Sequence, residues 1–174
     1  GQTCAAGLVS LFLLRFAKEE LGVEPLALGG LLVLGGGAAF LLLPFTGRLV
    51  DRRGYQAALV LGLFLLALVM ARLGTGPHPY ELPAAALLGG LGFSLFLPGW
   101  NGLLAKNLPQ ENRAAIWGSL MTVEGLGLAL GPVAGGLLWE AFGLPAPFLA
   151  GSGIFLALSL FYLLLFRVRK LWRR

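Results

Sequence analysis

Two long apolar runs without a single charged side chain dominate the first half of this sequence. They cover residues 26–45 and 57–69, and a short charged segment bounded by Gly47 and Gly54 separates them. A helix of about 18–20 apolar residues crosses the hydrocarbon core of a bilayer, which is roughly 30 Å thick. We therefore predict two membrane helices joined by a short, water-facing hairpin.

The composition of the whole chain supports a membrane protein. The 174 residues are 57% hydrophobic and 12% charged, whereas soluble domains carry about a quarter charged residues. The 27 glycines fit the same class, because small residues let membrane helices pack closely.

The alternation of apolar segments and polar loops predicts an all-α, polytopic membrane protein with six transmembrane helices. The predicted spans are residues 1–21, 26–45, 56–72, 82–105, 114–138 and 145–166, followed by a basic tail at 167–174. The uncharged part of the first span ends at Leu14 after about 21 Å of helix, which is shorter than a bilayer core. With no initiator methionine or signal peptide visible, we expect a fragment whose first helix begins upstream.

Basic side chains are distributed unevenly between the two sides of the predicted bundle. The side with the 47–54 segment holds Arg48, Arg52, Arg53, Lys106, Arg113, Arg167, Arg169, Lys170, Arg173 and Arg174. The other side holds Arg15, Lys18 and Arg72. Cytoplasmic loops carry the excess of lysine and arginine, so we expect both termini in the cytoplasm and the bundle in the plasma (bacterial inner) membrane. These basic residues flank spans rather than form one polar face, which argues against nucleic-acid binding.

The charged segment has the pattern Gly-x-Leu-x-Asp-Arg-x-Gly. The matching residues are Gly47, Leu49, Asp51, Arg52 and Gly54. Between two membrane helices, this pattern resembles the loop signature of the major facilitator superfamily (MFS) of secondary transporters. The family's signature usually continues with two basic residues, where this chain has Tyr55 and Gln56.

The resemblance implies an architecture and a partner. Transporters of this superfamily resemble two six-helix halves with the substrate site between them. This chain then looks like one MFS-type bundle, and the partner would be an N-terminal six-helix half or a second copy. The fourth span has no arginine before Lys106 and the tail is basic, which favours the C-terminal half.

The resemblance also implies a role for the charged segment. In the family this loop is thought to latch one conformation of the transport cycle, so Asp51 would be the latch and Arg52 its charged partner. The alternative is a hairpin that is capped by Asp51 and oriented by its positive charges. Both descriptions can hold together.

Glu124 is the strongest candidate for chemistry. It lies about ten residues into the fifth predicted span, roughly 15 Å along the helix and near the bilayer centre. A carboxylate there costs at least ~2.5 kcal/mol on insertion scales, so it should face a cavity or a polar partner. A low dielectric favours the neutral form of a carboxyl group, which is the property that a proton carrier uses. The alternative is a glutamate that only fixes helix packing.

Three further polar or aromatic residues are candidates for the substrate or proton path. Asn101 cannot face lipid cheaply, so we expect it in a cavity or an interhelical hydrogen bond. Trp100 packs between helices or lines the path, with packing favoured. Arg15 reaches out to the membrane surface or points into the cavity. The hydroxyls of Ser94, Ser119 and Thr122 are expected to bond to their own helix backbone.

Gly127, Gly131 and Gly135 are spaced four residues apart and share one face of the fifth span. We predict that this face packs closely against another helix and that Pro132 bends it. The stretch also resembles the glycine- and proline-rich fifth-helix signature of the superfamily's antiporters, although the other half of such transporters carries similar patterns.

The residues and the resemblance together predict a secondary transporter that moves a small solute by alternating access. Proton-coupled efflux or antiport is the mode that Glu124 favours, while the substrate and the choice among symport, antiport and uniport stay open. The alternative is a non-transporting six-span scaffold or an inactive remnant.

Other six-span classes, including enzymes, fit poorly. The paired Asn-Pro-Ala loops of aquaporins are absent, and His78 lies in a loop, whereas an intramembrane serine protease needs a histidine in the membrane. Gly89-Gly90-Leu91-Gly92 lacks the context of a nucleotide fingerprint. With one cysteine, Cys4, and one histidine, we expect no disulfide, metal site or cofactor.

Overall fold

The computed structural model describes residues 1–10, 24–107 and 112–171, and all regular secondary structure in these ranges is helical. The helices are α1 (Gln2–Ser10), α2 (Pro25–Arg53), α3 (Tyr55–Gly74), α4 (Leu82–Asn107), α5 (Arg113–Phe142) and α6 (Ala146–Leu171). A short 3-10 helix, Pro79–Glu81, precedes α4. The prediction of an all-α chain is confirmed for the described residues.

Helices α2 to α6 are each long and apolar enough to cross a membrane. The described part of α1 has nine residues. The structure thus supplies five candidate spans among the described residues, and the number six stays a prediction.

The predicted hairpin between α2 and α3 is a single glycine. Residues 47–53 form the last turns of α2, and the next helix starts at Tyr55. Gly54 has a φ of 88°, a left-handed conformation that glycine adopts without steric cost. Arg52 and Arg53 lie in the last turn of α2, where positive charge stabilises the helix dipole. The charged segment is therefore a helical extension of α2 and not a loop.

Helix α4 lies at the centre of one group of helices. It packs against α2 on one side and α3 on the other, and α3 packs in turn against α6. Glycines make these approaches possible: a Cβ atom at Gly99 would lie 2.7 Å from the backbone nitrogen of Leu59, and one at Gly62 would lie 2.5 Å from that of Phe96. Helix α1 forms a second group, packed against α5 and α6.

Hydroxyl groups link the helices of the first group. Thr46 donates to the carbonyl of Ser94 at 2.6 Å, which joins α2 to α4. Ser152 donates to the carbonyl of Ala67 at 2.8 Å, which joins α6 to α3. Such bonds satisfy polar groups inside a layer that offers no water.

The predicted local hydrogen bonds of three hydroxyl residues are confirmed. Ser94, Ser119 and Thr122 donate to the carbonyls of Leu91, Ile116 and Gly118, at 2.8, 2.8 and 2.9 Å. Each bond stays within its own helix, so these residues are structural.

Tyr55 fastens the α2–α3 turn to the rest of the bundle. The side chain is buried, and its ring meets Phe166 of α6 edge-on with centroids 5.8 Å apart. Its Cβ atom lies against Gly102 of α4, and the Lys106 ammonium lies 5.8 Å above its ring. An aromatic residue, where the family usually has a basic one, thus anchors this end of the bundle.

Candidate functional site

Glu124 accepts two hydrogen bonds from two other helices. The indole Nε1 of Trp100 donates to Glu124 Oε1 at 3.1 Å, and the amide of Gln2 donates to the same oxygen at 3.3 Å. The three residues belong to α5, α4 and α1. All three side chains are half-buried. We call this group the Glu124 cluster.

The glycines of α5 bring Gln2 to the carboxylate. Gly127 and Gly131 follow Glu124 by three and seven residues, so they continue the same helix face toward the C-terminus. A Cβ atom at Gly131 would lie 2.6 Å from the Cα atom of Gly7, and one at Gly127 would overlap the hydroxyl of Thr3. Without side chains at these positions α1 lies directly on α5, and Gln2 reaches Glu124.

The other predicted features of this face lie beside the same crossing. Gly135 is buried. Pro132 lies close to Gly7, because a Cβ atom built on Gly7 would be 3.3 Å from the ring of Pro132. Helix α5 nevertheless continues through Pro132 to Phe142.

Trp100 spans a gap between two helices. The described parts of α4 and α5 do not pack along their length, in contrast to the close pairing of α4 with α2 and α3. The indole stacks on Phe96, with ring centroids 6.5 Å apart and planes 16° apart, and its N–H reaches across to Glu124. The Trp100–Glu124 bond is thus a side-chain bridge between the two groups of helices.

The chemistry of the cluster is that of a carboxyl group held by neutral donors. An indole N–H and an amide N–H can each only donate here, and both use the Oε1 oxygen of Glu124. Among the described residues, neither of these two donors uses the Oε2 oxygen of Glu124. Bonds to a charged carboxylate are roughly twice as strong as bonds to a neutral group, so protonation would weaken both links.

The cluster lies in the half of the bundle that contains the Asp51 turn. Trp100 lies about 10 Å before the end of α4, and Glu124 lies about 16 Å after the beginning of α5. Those two helix ends are at the same side of the bundle as the α2–α3 turn, because Tyr55 contacts Gly102.

Other predicted site residues lie apart from the cluster. Asn101 is exposed and has no side-chain hydrogen bond within the part of the chain that the structure describes. Arg15 lies outside the described residues. Asp51 and Arg52 are exposed at the end of α2, and a Cβ atom at Gly47 or Gly54 would meet open space.

Gln2 was not among the residues predicted from the sequence. A glutamine in the first turn of an apolar segment is a weak signal by itself. The register between α1 and α5 places Gln2 beside Glu124, and in the sequence only the glycines at 127 and 131 indicate this close crossing. Within the described ranges there is no group of three or more potential metal ligands.

A family model decides the assignment. The model described as Major Facilitator Superfamily matches residues 2–173, nearly the whole chain. The chain belongs to the Major Facilitator Superfamily. With its apolar helices, this superfamily member is a multi-pass membrane protein, and the bundle described above fits the family.

Two kinds of curated relatives show which MFS proteins this chain resembles. It is 30% identical over 153 residues to the "Proton-coupled antiporter flippase LtaA" of Staphylococcus epidermidis, which covers 85% of this chain and 38% of the relative. It is 37% identical over 119 residues to the "Multidrug resistance protein MdtG" of Salmonella arizonae, which covers 67% of this chain and 29% of the relative. The chain therefore spans less than two fifths of the length of either protein. Both relatives bear the names of transporters and not of enzymes.

Proposed function

We propose that this MFS chain serves as one six-helix bundle of a secondary transporter that moves a small solute by alternating access. The relatives are named as a proton-coupled antiporter and a multidrug resistance protein, which favours proton-coupled efflux for this chain. The partner would be a second six-helix bundle, supplied by an N-terminal half or by another copy. The termini would face the cytoplasm, as the distribution of basic residues indicates.

The observation that carries the proposal is the Glu124 cluster. A glutamate inside a membrane helix is expensive, and here it is bonded to side chains of two further helices. A group with a purely structural role could be neutral, such as the serines and threonines that link α2, α3, α4 and α6. A carboxyl group adds the ability to gain and lose a proton, so we assign Glu124 as the proton carrier.

The cluster offers a way to couple that proton to movement. The carboxylate holds α1 and α4 to α5 through the two bonds to Oε1. A proton on Oε2 would weaken both bonds and free the α4–α5 gap to widen or close. Trp100 and Gln2 act as positioning residues in this scheme.

The Asp51 segment would serve as the conformational latch. Asp51 and Arg52 are exposed on a helical extension of α2, and Tyr55 holds the base of that extension against α4 and α6. A rigid, charged arm of this kind is suited to dock against the partner bundle in one state and release it in another.

Gradient-driven transport by the full-length protein in proteoliposomes tests the proposal. We choose the organic cation ethidium as the probe, because a carboxylate beside an indole ring suits a cation. An imposed pH gradient should drive ethidium movement in the wild type and in Glu140→Gln, which makes the same change at an exposed site on α5. Glu124→Gln should lose gradient-driven movement by at least about tenfold, while exchange of ethidium without a gradient persists.

Two outcomes would contradict this account. Gradient-driven flux that survives in Glu124→Gln would remove Glu124 as the proton carrier. The non-transporting scaffold would be favoured instead if no ethidium flux depended on any substitution, even with the matching half present.

A further inference from the structure

An apolar groove lies between α2 and α3 with α4 as its floor, away from the Glu124 cluster. Its volume is about 390 Å³, and every residue that lines it is apolar. Lining residues from the three helices include Leu28, Gly36, Val69, Leu73, Gly89 and Phe93. We call it the α2–α3 groove.

The groove has the length of one membrane leaflet. Its lining on α4 runs from Leu82 to Phe93, and its lining on α2 runs from Leu28 to Ala39. Eleven residues of helix cover about 17 Å, close to half of a hydrocarbon core of roughly 30 Å. The groove starts at the membrane face that holds the α3–α4 connection and ends near the bilayer midplane.

A pair of opposite charges stands at the outer end of the groove. Arg72 Nη2 contacts Glu81 Oε2 at 2.6 Å, and Arg72 Nη1 donates to the hydroxyl of Thr75 at 2.9 Å. Both charged residues line a second cavity of about 460 Å³ that shares Val69 and Ala85 with the groove. The charged pair therefore lies next to the apolar groove, at the end formed by Val69 and Ala85.

The pair retains capacity for a ligand. A guanidinium group has five N–H donors, and the two contacts of Arg72 occupy one on each Nη. Glu81 uses Oε2 toward Arg72, which leaves Oε1 as an acceptor. The exposed ring of Tyr80 lines the same cavity and offers a face to a cation. An anion and a cation a few ångströms apart would both find partners here.

We propose that the α2–α3 groove and the Arg72–Glu81 pair together bind one phospholipid with a zwitterionic, ammonium-bearing headgroup. One acyl chain fills the groove, the phosphate accepts from Arg72, and the ammonium donates to Glu81. Phosphatidylethanolamine has this chemistry, whereas the anionic phosphatidylglycerol has hydroxyls but no cationic group to pair with Glu81. The site does not depend on the transport role of Glu124.

Glycines in the groove allow a test by filling it. A side chain at Gly36 meets nothing within 4 Å, and the same holds for Gly37, which lies next to it but does not line the groove. Gly36→Leu and Gly37→Leu therefore make the same change on one helix with equal room. The full-length protein, stripped of lipid in detergent, would be titrated with palmitoyl-oleoyl phosphatidylethanolamine and followed by native mass spectrometry.

We expect the wild type and Gly37→Leu to bind phosphatidylethanolamine equally, and Gly36→Leu to bind about tenfold less, since the leucine occupies the acyl position. Gly89→Leu, whose Cβ atom would meet only Val69 at 3.9 Å, should repeat the loss and show that it does not come from misfolding of one variant. Equal binding by Gly36→Leu and Gly37→Leu would overturn the groove as the acyl site.

The headgroup assignment has its own test. Glu81→Gln removes the negative charge that would pair with the ammonium and leaves Arg72 without its carboxylate partner. We expect phosphatidylethanolamine to bind about tenfold less well, and phosphatidylglycerol to become the preferred lipid. An unchanged ratio between the two lipids in Glu81→Gln would overturn the role of the charged pair.

Discussion

Glu124 shows what a sequence can and cannot reveal about a single site residue. Its position could be predicted, because one charge inside a long apolar segment is expensive and therefore conspicuous. Its partners could not, because hydrogen bonds between helices depend on their relative register. The sequence leaves open whether Trp100 packs between helices or lines the substrate path. In the structure its ring stacks on Phe96 and its N–H donates to Glu124.

Asn101 shows a second limit. The cost of an amide in lipid predicts a cavity or an interhelical bond, and the side chain is exposed beside the stack of Trp100 and Phe96. Its place in a cavity stays a prediction. One residue along a helix turns a side chain by about 100°, so neighbours in sequence point to different surroundings. Sequence position near the C-terminal end of α4 does not resolve that direction.

The Asp51 latch gives a prediction at the residue scale. In the ethidium assay, Asp51→Asn and Arg52→Gln should each lower the transport rate by about tenfold or more, because each removes a charged contact to the partner bundle. Arg53→Gln changes the adjacent arginine, which occupies a variable position of the Gly-x-Leu-x-Asp-Arg-x-Gly pattern, and should transport at nearly the wild-type rate. Equal losses in all three variants would point to a general sensitivity of this segment to substitution and not to a latch.

At the scale of the helices, hydropathy predicted most of the fold. The apolar runs correspond to α2 to α6, since a long uncharged segment has few alternatives to a membrane helix. The charged segment at 47–53 was expected as a water-facing hairpin, but it continues α2 as helix. Polarity alone does not end a helix; Gly54, with its positive φ, does.

The crossing of α1 and α5 gives a second prediction. Gly131→Leu would place a side chain where α1 now lies, so the two helices must separate and the Gln2–Glu124 bond must break. We expect a loss of about 1–3 kcal/mol in the free energy of unfolding, together with reduced gradient-driven flux. Gly125→Leu is the control, because a Cβ atom there meets nothing within 4 Å. Thermal unfolding in detergent would compare the two, and equal stability would show that the crossing is not close-packed.

At the scale of the molecule, the described helices form two groups that meet where α1 packs against α6. Helices α2, α3, α4 and α6 share glycine contacts and hydroxyl bonds, while α1 and α5 share the Gly7–Gly131 crossing. The Trp100–Glu124 bond bridges the two groups where α4 and α5 do not pack. A proton-sensitive bond at that gap is the structural basis for the coupling that we propose.

The measurement that tests this claim most directly is infrared difference spectroscopy of the full-length protein during acidification. Uptake of a proton by a carboxyl group creates a C=O stretching band that needs no known substrate to be seen. This chain alone has eight aspartate and glutamate residues, so acidification produces several such bands. We predict that one of these bands is present in the wild type and in Glu140→Gln and absent in Glu124→Gln. A spectrum of Glu124→Gln identical to that of the wild type would show that Glu124 does not exchange a proton, and would contradict its role as the carrier.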